Sequence, residues 1–164
     1  MLWTETGRCD PAAAALADRH YSRIQHGSVG SANFVAPGSC QVLKIINGRR
    51  VTALWVTRLI RFTRHRWPNH LECSLFRNEG AGLSSALITQ AVAAGRWKYG
   101  ALPWLTFVDA GAVKRKRDPG RCYLRAGFRR DGTTKVHKLL AFVLPVSDLP
   151  PPQPPLGATL NLFT

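Results

Sequence analysis

The sequence predicts one mixed α/β (α+β) domain, on three observations. Asn47-Gly48 separates two β-rich runs, QVLKII (41–46) and VTALWVTRL (51–59), which is a strong hairpin signal. A glycine-rich stretch, FRNEGAG (76–82), then joins a strand-like run to a helical pattern. Helical and strand patterns also interleave along the chain rather than grouping, which favours helices packed on a sheet. With 164 residues, 45% of them hydrophobic, the chain can bury a core.

Taken in order, Asp10 is a natural N-cap and Pro11 a good first helical residue, so PAAAALADRH predicts a helix through about His20. The Gly- and Ser-rich stretch 26–39 reads as a long loop, and the hairpin follows. RFTRHRWPNH (61–70) is a basic, aromatic loop. LECSLF (71–76) alternates and predicts a strand ending at Arg77. From Leu83, apolar residues recur at Leu87, Ala91 and Ala94, giving a helix that Gly95 is expected to stop. LPWLTFVD (102–109) predicts a strand ending at Asp109. VKRKRDPGR (113–121) is a basic loop, and CYLRAGF (122–128) a short helical turn closed by Gly127. FRRDGTTK carries an Asp-Gly turn before a last strand in VHKLLAFVL (136–144). After Asp148 the prolines of LPPPQPPLG favour extended backbone. The domain is therefore set at residues 1–147, with 148–164 a flexible proline-rich tail.

Net charge sets the partners. Lys+Arg of 23 against Asp+Glu of 9 gives +14, with arginine outnumbering lysine. That excess favours a polyanion, DNA or RNA, through counterion release, and guanidinium suits bidentate phosphate and guanine contacts. No run is long and apolar enough to span a bilayer, and MLWTETGRCDP lacks the charged start and apolar stretch of a signal peptide. The expectation is a cytoplasmic protein with no membrane partner; the oligomeric state stays open, a homodimer included. Cys9, Cys40, Cys73 and Cys122 show no paired spacing, which argues against structural zinc and a disulfide framework.

The glycine stretch carries the first site. Arg77, Asn78, Gly80 and Gly82 form R-x-x-G-x-G between strand and helix, with Ser84 and Ser85 behind. Such glycines bare the backbone, and amides at a helix start hold an anion such as a pyrophosphate. No Gly-Lys-Ser/Thr follows, so this is not a nucleotide-triphosphate loop of the P-loop kind. An ordinary turn with a serine cap fits the same residues.

R-x-x-G-x-G, a strand ending in Asp109, and CYLRAGF with Tyr123, Gly127 and Phe128 together resemble the GNAT acyltransferase superfamily, over roughly residues 40–144. The resemblance implies a mixed, twisted sheet flanked by helices. It also implies that the glycine loop holds the pyrophosphate of acetyl-CoA or a related acyl donor, and that Tyr123 lies near the thioester sulfur. RHYSR (19–23), FVAPG (34–38), ALWV (53–56), SLFRNEG (74–80), VDA (108–110) and PGRCYLRAGF (119–128) further resemble the phage Mom family, which carbamoylmethylates the exocyclic amine of adenine in DNA and so shields phage DNA from restriction. That resemblance implies a host-cytoplasm enzyme acting on double-stranded DNA, and an iron ion gathered by His20, Tyr21, Asp109 and Tyr123.

Read for chemistry, Asp109 at a strand's carboxyl end can orient or deprotonate an amine, and Tyr123 can protonate a leaving thiolate. His20 and Tyr21 lie at the end of the first helix, which the GNAT resemblance implies opens onto the acceptor side. Each residue has a plainer role in packing or capping. The DNA-contact candidates are Arg61, Arg64, Arg66 and Trp67 in one loop and Lys114, Arg115, Lys116 and Arg117 in the other, pairing phosphate contacts with an aromatic surface for bases. An amine inside a duplex is reached by turning its base out. Carbamoylmethylation bonds nitrogen to a methylene carbon, which amine attack on a thioester carbonyl does not achieve. Two alternatives stay open: an N-acetyltransferase acting on a protein, RNA or small-molecule amine, and a non-catalytic nucleic-acid binding protein.

Overall fold

A computed structural model describes residues 1–61, 66–113 and 118–158. Among them seven strands form one sheet, β1 (Thr4–Thr6), β2 (Cys40–Asn47), β3 (Arg50–Ile60), β4 (His70–Asn78), β5 (Trp104–Val108), β6 (Arg129–Thr133) and β7 (Leu140–Leu144). Their order across the sheet is β1-β2-β3-β4-β5-β7-β6. Neighbours are antiparallel except β4 and β5, which run parallel because helix α3 (Ser84–Tyr99) crosses between them. Helices α1 (Pro11–Ala17), α2 (Tyr21–Gln25) and α4 (Arg121–Arg125) complete the domain. The mixed α/β expectation holds, and the Asn47-Gly48 hairpin joins β2 to β3 in the register Asn47↔Arg50.

Two apolar layers sandwich the sheet. On one face Leu87, Ile88, Ala91 and Val92 of α3 pack with Trp55, Leu71, Cys73, Trp104, Tyr123 and Phe142. On the other, Ala13, Leu16 and Ala17 of α1 meet Val42, Leu54, Val56 and Leu75. Each large side chain buried this way is worth about 1.5–3 kcal/mol. Trp3, Trp55 and Trp104 are wholly buried. Two of their indoles donate, Trp3 to the Leu87 carbonyl at 2.9 Å and Trp55 to Thr57 Oγ1 at 2.8 Å.

The departure that shapes the cleft lies in β4. Leu71 and Cys73 face α3, yet Leu75 faces α1, so the alternation reverses between them. Cys73 pairs with Thr57 and Leu75 with Val56, leaving Ser74 as an extra residue, a β-bulge. There β4 also leaves β5, their last pair being Cys73↔Thr106. Beyond it, among the described residues, 74–78 pair with no strand on that edge, and the two strands open into a wedge.

Four local expectations are corrected. The first helix ends at Ala17, and His20 caps a separate α2 instead of ending α1. Gly95 does not stop α3, which runs on to Tyr99; a Cβ there would lie 2.4 Å from Trp104 Cζ2, so the glycine admits the indole. Asp131-Gly132 is an irregularity within β6, and the chain reverses later, at residues 134–139. The proline-rich segment is tethered as far as Leu156. The Arg96 guanidinium donates to the Leu149 and Pro150 carbonyls, Gln153 N–H to Ala93, and Leu156 N–H to Trp3.

Candidate active site

The glycine loop is held open from within. Asn78 Nδ2 donates to the Gly82 carbonyl (2.8 Å) and Ser84 Oγ (2.9 Å), while its Oδ1 accepts from Ala81 N–H (2.9 Å). Gly80 and Gly82 have φ of 92° and 141°, a region that L side chains rarely adopt. Leu83 caps the 16-residue α3 without a side-chain acceptor, so the first-turn amides of a long helix keep their hydrogen-bonding capacity. That is the requirement for a bound anion.

Arg77 does something other than expected. Its guanidinium donates to Glu79 Oε1 at 2.7 Å and to the Arg19 carbonyl at 2.6 Å, pinning the loop to the end of α1. Glu79 also receives Arg19 at 2.9 Å and Arg50 at 2.6 Å. The Arg19 hydrogen bond, with Arg77 beside it, pulls its carboxyl down to about 2, so this acid stays charged and is neutralised by its arginines. A carboxyl held so low adds stability that is complete above pH 4.5 and drains as pH falls toward 2. Glu79→Gln is therefore expected to cost about 1–2 kcal/mol at pH 6 and almost nothing near pH 2, read from urea unfolding across pH.

The wedge holds a cavity of about 900 Å³ that runs from Asn78 and Ser84 to Tyr123 and Asp109. His20, Tyr21, Asp109 and Tyr123 all line it, so all four predicted chemical residues face one space. Tyr123 is buried at 7% exposure, ringed by Phe76, Phe128 and Phe142, with its hydroxyl 3.6 Å from Cys73 Sγ. Burial, reinforced by Cys73 and Cys122, raises its pKa well above the tyrosine norm and keeps the phenol protonated. Burial likewise pushes the Cys73 thiol up, so this cysteine is no nucleophile.

Asp109 follows β5 and binds inward. Oδ1 accepts from the Gly111 and Ala112 amides (2.9 and 3.2 Å) and Oδ2 from Gln25 Nε2 (3.1 Å), while the Asp109 N–H donates to Tyr21 Oη (3.3 Å). The Gln25 bond, with the amides, lowers its pKa. Asp109 thus ties α2 to the strand end. Burial and the nearby Arg77 charge lower His20 to about 4, so its ring is neutral. His20 Nδ1 accepts from Ser22 N–H at 3.3 Å, which leaves the ring proton on Nε2.

Glu72 was missed by the sequence reading. It lines the cavity, and burial raises its pKa above the usual carboxylate range despite Arg58 at 3.8 Å. The signal was present: an acid inside the apolar alternation of LECSLF. His137 also borders the cavity.

The metal expectation fits poorly. Among the described residues no three His, Cys, Asp or Glu side chains are grouped to hold an ion. Both Asp109 oxygens are taken, and the Tyr123 hydroxyl turns to Cys73. The donor set as it stands does not fit iron.

The basic loops divide. Arg64 and Lys114, Arg115, Lys116 and Arg117 lie outside the described residues. Arg61 is exposed at the end of β3. Trp67 is buried on Leu105 and Ala141, and its indole donates to Asp131 Oδ2 at 2.7 Å, so its ring is not offered for base stacking. Arg66 lies over that ring and donates to the Asp131 carboxyl and carbonyl. Both residues secure the sheet's outer edge.

No protein-family model matches the chain, and neither does any curated protein. Solved structures do. An acyl-CoA N-acyltransferase from Pseudomonas aeruginosa is 15% identical, over 86% of this chain and 97% of its own, with a TM-score of 0.58. A Desulfovibrio desulfuricans protein described as an acetyltransferase of the GNAT family is 15% identical over 88% and 98%, at 0.60. A Campylobacter jejuni N-acetyltransferase in complex with acetyl coenzyme A is 9% identical over 88% and 99%, at 0.51. At such identities the likeness is one of fold: this chain has the GNAT fold.

Proposed function

We propose that the protein is a transferase that takes an acyl-CoA-type donor into the β4–β5 wedge and modifies the exocyclic amine of adenine in double-stranded DNA. The observation that carries this reading is the single cavity joining the glycine loop to His20, Tyr21, Asp109 and Tyr123. A net charge of +14 supports the polyanionic substrate. N6-carbamoylmethyladenine is the product that the Mom resemblance implies.

The donor supplies an electrophilic carbon and a thiolate leaving group. For acyl transfer, the adenine nitrogen bonds to the carbonyl carbon and the carbon–sulfur bond breaks. Glu72, the half-buried acid on β4, takes the amine proton, and Tyr123 gives its proton to the departing sulfur. Asp109 and Gln25 hold α2 as the acceptor-side wall. Carbamoylmethyl transfer differs in the bond formed, nitrogen to methylene, so fragmentation of the product nucleoside, which separates the isomers, reports which donor carbon reacts.

Burial raises the Glu72 pKa, so the acid limb of kcat/KM is expected above the ordinary carboxylate range. Glu72→Gln should abolish that limb and lower kcat by at least about 10²-fold. The test of the function is mass spectrometry of nucleosides from plasmid of expressing cells. A new adenosine species lost in the Glu72 variant supports the reading, and unmodified DNA from folded, donor-binding protein overturns it. The burial of Trp67 and the engagement of Arg66 favour the second reading, an N-acetyltransferase acting on a protein, RNA or small-molecule amine. That enzyme would bind acyl-CoA without salt-dependent affinity for DNA.

A further inference from the structure

Among the described residues the most exposed large apolar side chain is Val136, at 82%. It stands at the tip of the hairpin between β6 and β7, on the rim of the cavity, for His137 and Leu139 beside it line that space. Nothing in the packing calls for a valine there. The tip is nevertheless firmly built. Thr134 N–H donates to the Leu139 carbonyl at 2.9 Å, and Leu139 N–H donates back to Thr134 Oγ1 at 3.0 Å, closing a six-residue loop. Lys138 sits at φ 53°, a left-handed conformation unusual for a residue with a side chain. Such strain at a non-glycine position is characteristic of functional loops. Lys135 and Lys138 flank the valine, and both are exposed. Ile24 of α2, 61% exposed, also lines that cavity.

We infer that this hairpin tip is a wedge that enters duplex DNA, Val136 filling the gap left by an adenine turned out into the cavity. The inference rests on the DNA-modification reading and adds to it the form of the substrate: a base-paired target opened by the enzyme. A lone apolar side chain between two cations suits that task better than docking to a protein or a membrane, both of which need a broad apolar patch. Apolar wedges prise apart stacked base steps, and lysines on either side meet the flanking phosphates. The neighbouring cavity, at about 900 Å³, has room for the extruded nucleoside beside the reacting end of a donor.

The test uses the full chain with plasmid DNA, native or heat-denatured, and nucleoside mass spectrometry as readout. Val136→Ala is expected to lower the ratio of rates on native and denatured DNA at least tenfold, because single strands need no wedge. A loss shared equally by both substrates, or no loss, overturns the inference. Wild-type protein that modifies neither substrate removes the functional reading beneath it, a distinguishable result. Binding gives a second readout without activity. Replacing Lys135 and Lys138 with alanine should lessen the slope of log affinity against log salt by about 2 on duplex DNA. An unchanged slope places the tip away from the DNA.

Discussion

Tyr123→Phe is expected to lower kcat by about 10²–10⁴-fold while leaving donor affinity and folding nearly intact. The ring is held by Phe76, Phe128 and Phe142, and phenylalanine keeps all three contacts. The hydroxyl meets Cys73 Sγ at 3.6 Å and the Thr106 side chain, so deleting it should cost about 1 kcal/mol of stability. What disappears is a proton at the floor of the wedge, kept in place by a pKa raised well beyond the usual range. A fall in kcat with an unchanged donor KM identifies loss of an interaction made only in the transition state. If kcat survives, the leaving group takes its proton from elsewhere.

The largest loss of stability is expected from Gly120→Ala. Gly120 precedes α4 at φ 86°, and a Cβ there would lie 2.2 Å from Phe142 Cζ and 2.6 Å from Phe142 Cε2. Phe142 is wholly buried in β7 and stacks on Tyr123, so it has nowhere to retreat. Overpacking and the left-handed backbone together should cost about 3 kcal/mol or more. At this chain length that corresponds to a melting temperature lower by about 6–12 °C in thermal unfolding. The same glycine seats Tyr123, so activity should fall before the fold is lost.

Much of this was legible in the sequence where local chemistry decides the structure. Asn47-Gly48 turns the first hairpin, Asp10 and Pro11 start α1, and the glycines after Arg77 open the loop that precedes α3. What escaped were residues whose role depends on distant partners. Gly95 reads as a helix stop until Trp104 is seen against it. Trp67 reads as a base-stacking surface until Asp131 accepts its indole hydrogen. Arg77 reads as a phosphate ligand until Glu79, two residues on, claims it. Glu72 stood in plain sight, but alternation alone does not reveal that its strand parts from the next one.

The extra residue in β4 has a consequence for how this molecule varies. Its doorway is made by one surplus position in the middle of a strand, Ser74, anchored by packed neighbours on both faces. The frame of the opening is therefore set by the rigid interior, whereas exposed Ile24 and Val136 are carried outside it, by the short α2 and the β6–β7 hairpin tip. Exchange of those two would change what enters while the hearth behind them stays as it is.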